Sequence, residues 1–254
     1  MKTFSFFSEK GGVGKTTLTI LFAAYLAYAK GFKVKVIDAE APTFRINRFR
    51  QIDEQNLKTE GSVLYNYSKA RELFQPYPIE CWGKEVNMYT RQDLNDFIRK
   101  VQVEVNDDKF DYLLIDFPAG YSEMTPIRGL SMNELLDLAY IPTSTEGQER
   151  RAAYRIGKDL LANGQDVRVL WNRIDSRYIK NPDILDDAEQ PFLDKAGLKH
   201  SKVRIKAFNK ATLDSKDRCF VRNTVCWPER YIQMACPELK DLFEEIVAIL
   251  DTKE

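Results

Sequence analysis

Two lysines five positions apart, Lys10 and Lys15, frame a glycine-rich stretch within FFSEKGGVGKTTL, residues 6–18. Gly11, Gly12 and Gly14, with Val13 between them, allow a backbone that turns its N–H groups inward, and a helix starting at the same point aims its positive end there. A triphosphate is the natural occupant of such a cradle. In the phosphate-loop pattern G-x-x-x-x-G-K-[ST], Lys15 reaches the β and γ phosphates, the Thr16 hydroxyl ligates Mg²⁺, and Thr17 reaches the α phosphate. Magnesium held between phosphates also calls for a carboxylate at a neighbouring strand end. Asp116, closing the apolar run of FDYLLIDFPAG, supplies one. The plain pattern would put its first glycine at position 9, yet Glu9 and then Lys10 stand there, so the second lysine needs its own account.

These side chains require a strand before the loop and a helix after it. Thr3–Phe7 is a short apolar, aromatic run, and the spacing from Thr16 to Ala29 predicts a helix. Gly31 ends that helix, and Val34, Val36 and Ile37 predict a second strand whose carboxyl end carries Asp38 and Glu40. Further strands are expected in FDYLLID, DLAYIPT and DVRVLWN, and VNMYT is a possible one. Helical spacing appears in RQDLNDFIRKVQVEV, and again from Pro237 to Asp251. Residues 41–78 are polar and weakly periodic. Alternating strands and helices predict one α/β domain over residues 1–254, a doubly wound, mostly parallel sheet with helices on both faces.

Composition narrows the function classes. With 38 basic and 38 acidic residues in 254, no overall charge excess points to nucleic acid, so any electrostatic partner must meet a local patch. No apolar run is long enough to span a bilayer and the first residues lack a secretory pattern, which leads us to expect a cytoplasmic protein. Cys81, Cys219, Cys226 and Cys236 show no C-x-x-C pairing, and His200 is the only histidine, so a zinc or iron–sulfur centre is not expected.

The string K-G-G-V-G-K-T-T, residues 10–17, resembles the deviant phosphate loop of the ParA/MinD family of ATPases. KVKVIDAE is similar to that family's second strand and first switch, DYLLIDFPAG to its second switch, DLAYIPTSTEGQERRA to its next strand and helix, and VRVLWNR to its base-binding strand; residues 41–105 match poorly. The resemblance implies that Lys10 crosses an ATP-sandwich homodimer to touch the partner's phosphates. A second ammonium near Lys15 is tolerable once a triphosphate is present. It also implies that Asp38 lies near the metal, that Glu40 orients the attacking water where relatives carry aspartate, and that Asn172 and Arg173 contact the adenine. An extra methylene at position 40 shifts the carboxylate by about an ångström, which bears on the rate.

ParA-like relatives bind DNA non-specifically through a late basic surface. Residues 199–230 are locally basic, and Lys202, Arg204, Lys206, Arg218 and Arg222 are the candidates. The C-terminal EEIVAILDTKE carries acidic residues around its apolar face, which disfavours a membrane-binding tail. The expectation is an ATP-dependent switch in partition or mobilisation of a plasmid, chromosome region or conjugative element, with a partner protein that stimulates turnover. The alternatives are a nucleotide-binding regulator with decayed hydrolysis and a small-molecule ligase.

Overall fold

Seven short strands form one sheet in this computed structural model, which describes residues 1–69, 76–83, 91–107, 109–119, 135–207, 222–229, 232–233 and 236–253. They are β1 (Lys2–Phe6), β2 (Val34–Asp38), β3 (Ile79–Cys81), β4 (Tyr112–Asp116), β5 (Leu138–Thr143), β6 (Val167–Ile174) and β7 (Lys199–Lys206), in the order β3-β2-β4-β1-β5-β6-β7. Every pairing is parallel. Residues of β2 and β4 are buried throughout, as expected of strands covered on both faces. Side-chain alternation divides them: Val34, Val36 and Leu114 join one core, whereas Ile37, Leu113 and Ile115 join the other.

The first core is aromatic. Phe4 meets Phe22 edge-on, with centroids 5.2 Å apart, and Tyr25, Trp227 and Phe243 extend the cluster. It is roofed by α1 (Lys15–Ala24) and by the expected C-terminal helix, α8 (Glu238–Asp251). The helix expected over residues 16–29 starts at Lys15 and loosens into a π-type turn at Tyr25–Ala29. On the other face, α4 (Arg91–Val105), α5 (Gly147–Ala162) and α7 (Pro182–Ala196) contribute Phe97, Ile156, Leu160 and Leu193. A short α6 (Ser176–Lys180) precedes α7.

The weakly periodic region contains α2 (Arg45–Lys58) and α3 (Val63–Lys69). The buried residues of α2 are Ile46, Arg50 and Asp53, at helical spacing but mostly polar, which hid the helix from hydrophobic periodicity. The Arg50 guanidinium donates to Tyr77 O at 2.9 Å and to Thr224 Oγ1 and O at 3.0 Å each, while Asp53 accepts from Thr224 N and Oγ1 at 2.7 Å. Burial pushes the Asp53 carboxyl up to about 6, with the Thr224 bonds opposing the rise. This network joins the chain after β2 to residues 222–229. VNMYT lies outside the described residues.

Candidate nucleotide site

β1 lies inside the sheet with β4 on one side and β5 on the other, and the chain leaves it toward β2. The strand order therefore reverses at β1, and open α/β sheets bind ligands beyond the carboxyl ends of strands at such a reversal. The glycine loop occupies that point. Gly14 sits at φ +98°, where any side chain is strained, and a Cβ there would come within 2.7 Å of Asn172 Nδ2 and displace it. Asn172 and Arg173 at the end of β6 hold the loop from behind: Asn172 Nδ2 donates to Val13 O at 2.7 Å, and Arg173 Nη1 to Gly12 O at 2.5 Å. The sequence expectation of an adenine contact thus meets two side chains placed at the loop and engaged with its backbone. Arg173 is itself left-handed at φ 60°.

Lys15 is buried and its Nζ donates to Lys10 O at 3.0 Å. Burial pulls its ammonium below the ordinary lysine range, and the charges of Asp116 and Glu40 oppose that fall. Lys10 is exposed, with its side chain toward solvent. Thr16 and Thr17 form the first turn of α1 and are half-buried. The two lysines therefore face different surroundings, one buried and one exposed.

Asp38 and Asp116 are register partners at the ends of β2 and β4, and both are fully buried. Burial pushes the Asp116 carboxyl up to about 8; Asp38 and Glu40 add to the rise, and the Thr16 hydroxyl and Lys15 oppose it. Neither Asp116 oxygen has a well-formed hydrogen bond. Such a group is costly to bury without a cation or donor, and this fits a hard divalent ion shared with phosphate. Among the described residues no group of three or more His, Cys, Asp or Glu gathers into a metal site. Asp38 accepts from Glu40 N at 3.3 Å and from Asn47 N at 3.0 Å, anchoring the following segment; burial also raises it. Glu40 is raised by burial as well, and Arg45 Nε lies 3.2 Å from its Oε2.

The basic candidates fall on separate elements. Lys202, Arg204 and Lys206 lie on β7, at the sheet edge, where Lys202 is exposed and Lys206 half-buried. The Arg204 guanidinium is largely covered and bound to Asp186 of α7. Arg222 stacks over Phe49 of α2, 5.3 Å from the ring centre, and Arg218 lies outside the described residues. A strand was not expected in this basic run; the buried Ser201 and Ile205 are its inward positions. Sequence reasoning also passed over Glu9, buried in the loop, and its partner Arg155 on α5, which no motif marks.

The ParA family, described as NUBPL iron-transfer P-loop NTPase, matches residues 2–141. The chromosome-partitioning ATPase Soj of Treponema pallidum is 31% identical over 153 residues, 57% of this chain and 58% of that protein. An iron–sulfur cluster carrier protein of Clostridium perfringens is 30% identical over 131 residues, 46% of this chain and 44% of the relative. The matches thus span about half the length of these relatives. The septum site-determining protein MinD of Pyrococcus horikoshii, solved with Mg-ADP, superposes with a TM-score of 0.58 at 18% identity, covering 98% of each chain. That likeness establishes the shared fold.

Proposed function

Because this chain belongs to the ParA family of P-loop NTPases, we propose that it is a switch that dimerises around ATP and hydrolyses it slowly with Mg²⁺. The observation that carries this reading is the pairing of a buried Lys15 with an exposed Lys10 in one glycine loop, together with a buried Asp116 whose oxygens have no well-formed hydrogen bond. Lys15 and the loop amides hold the phosphates. Thr16, Asp116 and Asp38 hold Mg²⁺, which when bound neutralises charge on the phosphates. Lys10 reaches the ligand of a second copy, so nucleotide and assembly become one equilibrium.

Glu40 stands 2 residues beyond Asp38, whose carboxylate tethers the Glu40 backbone. It receives water, orients it toward the γ phosphate and accepts its proton. The raised pKa of Glu40 suits a proton acceptor, and its Oε2 lies against the half-exposed Arg45. Glu40→Gln is expected to lower turnover about a hundredfold while ATP affinity stays within about threefold. Phosphate release beside equilibrium ATP titration checks this. Equal turnover in both proteins removes Glu40 from the mechanism and favours a different base.

Non-specific DNA binding is part of the proposal, in the service of partition or mobilisation of DNA, with a partner protein stimulating turnover. Lys202 and Lys206 on the edge strand are its support; Arg204, committed to Asp186, is a weaker contributor. In ATP, retention on DNA is expected to fall steeply with salt, and Lys202→Ala with Lys206→Ala to lower the log–log slope by about 2 for each subunit that touches DNA. Retention indifferent to salt, or an unchanged slope in the double variant, contradicts this surface.

The iron–sulfur carrier among the relatives favours a second reading, cargo transfer through shared thiolates. Among the described cysteines, Cys226 and Cys236 are buried and Cys81 is exposed on β3. That distribution supplies no exposed pair, and the switch reading is preferred. No helix among the described residues is long and apolar enough to cross a membrane.

A further inference from the structure

Glu9 is an odd neighbour for a phosphate cradle. It immediately precedes Lys10, its side chain is only 5% accessible, and its Oε1 is buried without a hydrogen-bond donor. A carboxylate in this position is costly to desolvate and adds negative charge beside a negatively charged ligand. The compensation comes from α5: Arg155 Nη2 donates to Glu9 Oε2. Arg155 belongs to a helix whose Ala152 and Ile156 are buried, while its own side chain remains 60% accessible.

The same few residues determine how Lys10 leaves the loop. Lys10 N donates to Ser8 Oγ at 3.1 Å, and Lys10 O accepts from Lys15 Nζ at 3.0 Å. The backbone of residue 10 is thus held on both sides of its Cα, and the preceding side chain is pinned by α5. We propose that Arg155 is a positioning residue for Lys10: by holding Glu9 it fixes the loop so that the Lys10 side chain points outward to a second copy. This inference rests on the ATP-dimer reading above. Its added content is that a residue of α5, outside every nucleotide motif, controls assembly without touching the nucleotide.

The test is sedimentation equilibrium with Mg-ATP on wild type, Arg155→Ala, Arg155→Lys, Glu9→Gln and the Glu9→Gln/Arg155→Ala double variant, alongside ADP titration of each. ADP affinity reads the cradle alone. Arg155→Ala is expected to weaken ATP-dependent dimerisation roughly tenfold, less than removal of Lys10 because that contact is misplaced rather than lost, with ADP affinity within about twofold. Arg155→Lys recovers part of the loss. In the Glu9→Gln background, removal of Arg155 has little further effect, because the two residues act as a unit. Wild-type dimerisation with an unchanged Arg155→Ala overturns the positioning role, as does a parallel loss of ADP affinity, which means general damage to the loop. A wild type that stays monomeric in ATP is a different result: it overturns the dimer reading itself, and this inference with it.

Discussion

Lys15→Ala is expected to weaken ATP binding by at least about a hundredfold while leaving the melting temperature nearly unchanged. A charge-assisted hydrogen bond contributes roughly 1.5–3 kcal/mol, and about 1.4 kcal/mol is tenfold in affinity, so losing a lysine that spans two phosphates reaches that size. The fold loses little, because Lys15 is itself costly to bury: burial lowers its pKa, and its ammonium donates to Lys10 O. Isothermal titration with Mg-ATP and a thermal melt decide the matter. Affinity within tenfold of wild type shows that the phosphates lie elsewhere; a collapse in melting temperature shows that Lys15 holds the loop together rather than the ligand.

The parts of this chain that were legible beforehand are those where chemistry and periodicity coincide. The loop at residues 10–17, the strand ending in Asp116 and the strand ending in Asp38 could be placed because glycine spacing, apolar runs and terminal carboxylates all marked the same points. The α2 helix was hidden because its inward face buries Arg50 and Asp53, a polar network satisfied by Tyr77 and Thr224 from distant sequence. β7 was hidden because charged residues alternate with its inward positions, Ser201, Val203 and Ile205, and dominate the run. A basic patch in sequence became a sheet edge in which one cation is already spoken for by Asp186. The bond between Glu9 and Arg155 joins residues 146 positions apart, and no local pattern encodes such a meeting.

Lys10→Ala is expected to abolish ATP-dependent dimerisation while ATP still binds the single subunit with little change. Lys10 is exposed and Lys15 bonds its backbone oxygen, which alanine keeps, so its removal takes from the monomer's pocket only a solvent-screened positive charge. In a two-fold dimer every such substitution counts twice. Two lost charge-assisted contacts at roughly 1.5–3 kcal/mol each weaken association by at least about a hundredfold. Sedimentation velocity of wild type and Lys10→Ala with ATP, with ADP and with neither measures this directly. The account predicts a dimer for wild type in ATP alone and a monomer for the variant in every condition; one and the same mass for both proteins with and without nucleotide contradicts it.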